Sequence, residues 1–217
     1  LVGSEMCIRD SYSPQRIICL TEETTELLYL LGEEDRIVGI SGFTMRPPEA
    51  RKTKPKVSTF LDAKTDEILA LKPDLVIGFS DIQANIAKDL IAQGITVWVN
   101  NHRSVQGILN MMVQLAALVD KKEAALALVE QIKSQIDVIK KECEQLPVRP
   151  KVYFEVWFDP LISGIRWVSE IIELAGGHDI FPEYAANSLA KDRIIKDPNL
   201  VAERNPDIIL ASWCGKM

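Results

Sequence analysis

The sequence predicts an α/β protein of two lobes, each with a parallel sheet, joined by a long helix. Three observations lead there. Short β-type runs alternate with helical patterns from Arg16 to Val99, and strands that alternate with helices pair in parallel with helices on both faces. From Ser104 to Gln145 no strand pattern occurs. After Pro150 the alternation returns. The expected division is a non-native or disordered leader over 1–13, an N-terminal lobe over 14–103, a linking helix over 104–147 and a C-terminal lobe over 148–217.

Each element has a local reason. Arg16–Leu20 reads as a strand, and the helix over Thr24–Leu31 stops at Gly32, a residue that readily takes the left-handed turn after a helix. Ile37–Ile40, Lys56–Ser58, Leu75–Gly78 and Thr96–Val99 read as further strands. Helices over Thr65–Leu71 and Ile82–Ile91 lie between them, the second closed by Gly94. Ser104 is the expected N-cap of the strand-free stretch. One helical stripe there takes Leu109, Met112, Val113, Leu115, Ala116 and Val119, and Leu126, Val129, Ile132, Ile136 and Ile139 continue its spacing. The interruption at Asp120-Lys121-Lys122 favours a strut between lobes over a coiled coil. Beyond Pro150, Lys151–Trp157 is a strand, Val168–Leu174 a helix ended by Gly176-Gly177, and Ile208–Ala211 a strand. A weak internal repeat ties the halves together. Lys72-Pro73-Asp74 and Asn205-Pro206-Asp207 each stand between a helix and an apolar run expected to be a buried parallel strand. Two similar Rossmann-like lobes with a ligand cleft between them follow as the expectation.

Composition excludes several function classes. The 217 residues are 47% apolar and 26% charged, with a net charge of −6. No Lys/Arg run could follow a phosphate backbone, so nucleic acid is not an expected partner. No stretch approaches the ~18 apolar residues that span a bilayer. Leu1–Ser13 has neither a basic region nor a long apolar region and does not read as a signal peptide. Cys7, Cys19, Cys143 and Cys214 have no metal-type spacing and read as free thiols, which favours a reducing compartment.

No catalytic motif is present: neither a glycine-rich phosphate loop, a nucleophile elbow nor a zinc-protease helix occurs. His102 and His178 sit in loop contexts, and Glu22 and Glu23 read as first-turn acids that favour a helix dipole. No catalytic residue, required cofactor or protein-ligated metal is therefore expected; any metal would arrive inside the ligand. The aromatics say more. Phe43, Phe60 and Phe79 each follow a strand of the first half; Trp157 and Phe158 end the strand from Lys151, and Trp213 follows Ile208–Ala211. Ligands of open α/β sheets bind outside the carboxyl ends of the strands, so aromatics gathered there suit a large, flat, partly apolar ligand. Thr44, Ser80, Arg166 and Arg193 are the expected polar contacts to its rim.

These residues resemble the periplasmic binding proteins for vitamin B12 and iron chelates, the class with a helical backbone. The likeness covers Pro14 to Trp213. It is densest at Pro14–Leu20, Thr25–Leu28, Ile68–Ile77 and Ile171–Phe181. The resemblance implies capture of a ligand for an ABC importer. Three aromatic positions that touch the corrin in B12 binders match Phe43, Phe60 and Phe79, which implies a corrinoid (cobalamin) as the transported ligand. Where an aromatic is expected in the second lobe stands Lys191-Asp192-Arg193, so Arg193 is expected to face the ligand, and a siderophore or haem stays open. The resemblance also implies transient docking on a membrane permease through an acidic residue of each lobe. The matching positions are Asp66, beside Glu67, and Asn199. It implies a periplasmic monomer and, since relatives continue past a strand like the last one, a C-terminally truncated second lobe. A cytosolic corrinoid carrier or an α/β enzyme without transport role is the alternative of another class.

Overall fold

The computed structural model describes Tyr12 to Trp213. The expected leader therefore lies almost wholly outside the described residues, as do Cys7 and Cys214. The chain forms two compact units. The first takes the described residues through Asn101 together with Met112–Ala125; the second takes His102–Met111 and the described residues from Leu126 on.

The first unit runs β1 (Ile17–Cys19), α1 (Glu22–Leu30), β2 (Ile37–Ser41), α2 (Pro48–Thr53), β3 (Lys56–Ser58), α3 (Thr65–Ala70), β4 (Leu75–Phe79), α4 (Ala84–Ala92) and β5 (Val97–Asn100). All four pairings are parallel, in the order β3-β2-β1-β4-β5. Central β1 is apolar at every position because both its faces are covered: Ile17, Ile18, Cys19 and Leu20 are all buried. On one face Ile18, Leu20, Val57, Ile68, Val76, Ile86 and Leu90 form a single cluster. The glycines expected to stop helices do so with left-handed backbone, φ +71° at Gly32 and +80° at Gly94.

Parallel strands lack a hairpin to set their register, and here a side chain sets it. The Asp74 carboxylate accepts the backbone N–H groups of Gln15 (2.7 Å) and Arg16 (3.0 Å), while Asp74 N donates to Arg16 O (3.0 Å). The start of β1 is thus latched to the start of β4. The second unit repeats the device: the Asp207 carboxylate accepts Lys151 N (2.7 Å) and Asp207 N donates to Lys151 O (2.8 Å). The residue before each proline, Lys72 or Asn205, is left-handed with φ +48°. The Pro-Asp repeat of the sequence is therefore one structural latch used twice.

The helical stretch departs from the continuous strut the sequence suggests. It is two helices, α5 (Val105–Leu118) and α6 (Lys122–Cys143). Asp120 turns left-handed at φ +60°, and Lys121 N closes the end of α5 on Ala116 O (2.7 Å). The interruption at Asp120-Lys121-Lys122 is thus a helix end followed by a helix start. Lys121 Nζ lies 3.1 Å from Glu33 of the first unit, and Leu115, Ala116, Val119 and Ala125 are buried. Ser104 caps α5 as expected, its Oγ accepting Gly107 N (3.0 Å); the Glu170 carboxylate accepts Val105 N (2.7 Å).

The second unit contains β6 (Lys151–Phe158), β7 (Leu161–Ser163), α7 (Arg166–Leu174), β8 (His178–Asp179), α8 (Pro182–Ala185), α9 (Asn199–Arg204) and β9 (Ile208–Ala211). β8 and β9 pair with β6 in parallel. β7 corrects the all-parallel expectation: it folds back on β6 across the Asp159-Pro160 turn and runs antiparallel, Glu155 facing Ser163 and Phe158 facing Leu161. Tyr153, Ile180, Phe181 and Ile195 form one core cluster, and Val152, Val168 and Ile172 another. β9 pairs as expected but is not the buried strand the sequence suggests. Ile208, Ile209 and Leu210 stay 41%, 59% and 45% exposed, because no described helix covers them.

Candidate functional site

In the first unit, five strands deliver their carboxyl ends to one edge, and β1 lies between β2 and β4 where the strand order reverses. This is the switch point at which α/β sheets take ligands. Phe43, just past β2, and Phe60, just past β3, meet there. Their rings stack with centroids 4.5 Å apart and planes 13° apart, and they remain 43% and 39% exposed. The chain reversals after neighbouring strands bring the two together, as the placement of aromatics in the sequence implied. Phe79 ends β4, half-buried, its N–H held by the Gln83 side chain (2.9 Å). Gln83 also donates to Leu20 O (3.3 Å) and so ties the ends of β4 and β1 together.

The polar side chains at this edge behave differently from expectation. Thr44 is fully buried and its hydroxyl has no hydrogen-bond partner; the buried hydroxyl of Ser58 and the amide nitrogen of Asn100, neither singled out from sequence, are in the same condition. Such groups are costly to leave unpaired. Ser80 is buried and its hydroxyl is engaged locally. Its backbone is left-handed at φ +65°, and its hydroxyl donates to Asp81 (2.8 Å) and accepts Ile82 N (3.2 Å). The turn out of β4 uses that hydroxyl itself. At the rim, Arg46 lies 3.4 Å from Glu26 and 3.8 Å from Glu22. Glu23 accepts the Thr21 hydroxyl (2.7 Å); burial is the largest influence on its carboxyl and holds the pKa above the ordinary value, against the Thr21 hydrogen bond. Cys19 is buried beneath, its thiol pushed up to about 12 mainly by burial.

In the second unit the ends of β6 and β9 gather a second aromatic group. Trp157 and Phe158 lie 5.3 Å apart, and Phe158 and Trp213 4.9 Å apart. Trp157 Nε1 donates to Asp159 O (2.9 Å), and Trp213 Nε1 donates to the Glu155 carboxylate (2.9 Å). Glu155 escapes a sequence reading because its partner is 58 residues away. Arg193, expected to face the ligand, has its guanidinium engaged within the protein. It is buried, and its guanidinium donates to Ser163 O (3.2 Å), Asn187 O (2.9 Å) and Ser188 O (2.7 Å). The irregular chain after α8 leaves the Asn187 and Ser188 carbonyls without ladder partners, and Arg193 satisfies them and ties them to Ser163 at the end of β7. Arg166, at the start of α7, pairs with Glu170 (2.8 Å). His178 is exposed 3.3 Å from Glu173; His102 is half-buried, its imidazole pKa lowered by burial and then by Arg103.

The expected docking residues sit at helix starts. Asp66 and Glu67 open α3 and are exposed, Glu67 beside Lys64 (3.0 Å). Asn199 opens α9, exposed, its N–H capped by Asp197 (3.0 Å). Asp66 and Asn199 each lie eight residues before the aspartate of the latch, Asp74 or Asp207, so the repeat puts them at equivalent points of the two units.

Each of the two α/β units thus carries an aromatic group at its strand ends. The chain belongs to the periplasmic binding protein family, whose pattern matches residues 17–217. Curated relatives include the vitamin B12-binding protein of Vibrio campbellii, 28% identical over 207 residues (91% of this chain, 70% of that protein), and that of Vibrio vulnificus, 26% identical over 172 residues (77% and 62%). The chain thus spans about two thirds of these relatives' length. Among solved structures it is similar to the periplasmic vitamin B12 binding protein of Vibrio cholerae, with TM-score 0.76 and 21% identity over 92% of this chain and 77% of that one. The periplasmic haem binding protein of Vibrio cholerae gives TM-score 0.74 and 25% identity over 91% and 76%.

Proposed function

We propose that this protein is the substrate-binding component of an ABC importer, that it binds a corrinoid in the periplasm as a monomer, and that it hands the ligand to a membrane permease. The observation that carries the reading is the Phe43–Phe60 stack, solvent-exposed at the switch point of the first sheet. The Trp157, Phe158 and Trp213 group at the strand ends of the second unit supports it. Flat aromatic faces suit a macrocycle held by apolar contact. Each face buried contributes on the order of 2 kcal/mol by area, and several can outweigh the entropic cost of association. Phe79 adds its ring at the end of β4, and the unpaired Thr44 hydroxyl is available to a ligand amide once the stack shifts. The vitamin B12-binding relatives favour a corrinoid over other macrocycles. Handover uses Asp66, Glu67 and Asn199, exposed at equivalent helix starts, as contacts for permease arginines. The protein performs no chemistry on the ligand and requires no cofactor.

Titration of the full-length protein with cyanocobalamin, haemin and a ferric catecholate, followed by tryptophan fluorescence, tests the reading. Saturable binding of cyanocobalamin is the expected result. Saturation by haemin or the siderophore with no response to the corrinoid would replace it with the second reading.

A further inference from the structure

In the second unit's strand-end group, the carboxylate of Glu155 is in contact with an aromatic. Glu155 lies on β6 two residues after Tyr153, where the pairing with β7 shifts register before Trp157. Its carboxylate accepts Trp213 Nε1 at 2.9 Å, and Ser212 N donates to Glu155 O (2.9 Å). β9 pairs with β6 up to the Glu155–Ala211 partners, so Trp213 emerges from the sheet two residues beyond the last pair. Nothing in the ladder fixes a side chain there; the hydrogen bond to Glu155 does. Trp213 stays 39% exposed while held, with Phe158 at 4.9 Å on its other side. The anchor is a charge-assisted bond, stronger than a neutral one, and an indole can only donate. An acceptor is therefore required at this position, and a carboxylate supplies negative charge as well.

That charge discriminates between ligands. A corrinoid rim carries amides, whose N–H groups can donate to a second lone pair of Glu155. A haem rim carries carboxylates and a ferric catecholate carries phenolate charge, and both are repelled. Arg193, which the sequence placed at the ligand, is committed to three backbone carbonyls.

We propose that Glu155 is a positioning and specificity residue: it holds Trp213 for contact with the ligand, and its charge selects an amide-rimmed macrocycle over carboxylate-rimmed or phenolate-rimmed ones. The inference rests on the corrinoid-binding reading above. At ~8 Å in a half-exposed site, repulsion of one ligand carboxylate corresponds to about a tenfold loss of affinity after screening.

The test uses full-length wild type, Glu155→Gln and Glu155→Leu, each checked for folding by its thermal transition. Gln keeps an acceptor for the indole and removes the charge; Leu removes both. Each protein is titrated with cyanocobalamin and haemin, and the Trp213 contribution to ligand-free emission is isolated by a parallel Trp213→Phe series. Glu155→Gln is expected to weaken cyanocobalamin binding a few-fold and to strengthen haemin binding, moving their ratio about tenfold towards haemin. Glu155→Leu is expected to weaken cyanocobalamin binding about tenfold and to shift Trp213 emission. A wild type that binds haemin and not cyanocobalamin overturns both this inference and the functional reading beneath it. Corrinoid binding with an unchanged ratio in Glu155→Gln overturns charge selection alone. Identical Trp213 emission in all three proteins overturns the anchoring role alone.

Discussion

Removing one ring of the Phe43–Phe60 pair tests whether the stack is a ligand platform or only a cap on its own sheet. Each ring is about two-fifths exposed. A phenylalanine has ~200 Å² to bury, so ~80 Å² per ring remains to be covered by a ligand. At ~25 cal/mol per Å² that is about 2 kcal/mol for Phe60, or about thirtyfold in Kd. Phe60→Ala should therefore raise the Kd for cyanocobalamin about thirtyfold. The folding cost should be smaller than for a core phenylalanine, since the ring is partly in water already; loss of the stack itself accounts for roughly 1 kcal/mol. Phe43→Ala should behave alike, and the double variant should lose less than the sum, because each single change already unstacks the surviving ring. Isothermal titration measures the first quantity and thermal unfolding the second. A Phe60→Ala protein with wild-type affinity and a lowered melting temperature would refute the platform and leave a cap.

Three further outcomes follow from the geometry. Asp74→Ala removes two backbone contacts to the start of β1 and should cost about 1–2 kcal/mol in urea unfolding, since hydrogen bonds to a charged group are worth more than neutral ones but these are exposed; a neutral result would mean the ladder alone sets the register. Glu23 has a folded-state pKa above its unfolded value, so the folded protein keeps a proton that the unfolded chain releases. Stability therefore falls as pH rises from the ordinary carboxylate value through the raised one, and the loss persists above it; Glu23→Gln should flatten that fall in urea midpoints measured from acid to neutral pH. Asp66→Lys should leave cyanocobalamin affinity unchanged, since Asp66 is exposed and has no part in the Phe43–Phe60 stack, but should weaken permease association, with the difference shrinking as salt rises. Loss of ligand binding would show that the wrong face has been assigned.

The elements legible in the sequence were those with a local cause. Gly32, Gly94 and Gly176 ended helices because a left-handed residue was needed at each point. The strand-end aromatics were legible because sheet polarity dictates where residues after a strand emerge. What escaped had a distant or unusual cause. The end of α5 depends on Asp120 adopting positive φ, which a non-glycine residue signals weakly. The antiparallel β7 follows a two-residue turn hidden in Asp159-Pro160, between runs that look like one apolar segment. Arg193 was assigned to the ligand by position, whereas two of the carbonyls that engage it belong to a loop with no sequence signature and the third ends β7, thirty residues away. Glu155 and Trp213 become neighbours only through β6–β9 pairing.

The first unit is not contiguous: it draws on Met112–Ala125, with Leu115, Ala116 and Val119 buried and Lys121 bridging to Glu33. This has a consequence during synthesis, when the chain emerges from its amino end. All five strands of the first sheet, and the Asp74 latch, have been made by residue 100. The apolar surface that the end of α5 covers stays bare until residue 125 has also cleared the ribosome. For an interval of some twenty-five residues the nascent first unit is paired but uncapped, which is when a holding chaperone has something to grip. A ribosome stalled after Asn101 should yield a protease-sensitive nascent chain, and one stalled well past Ala125 a resistant one.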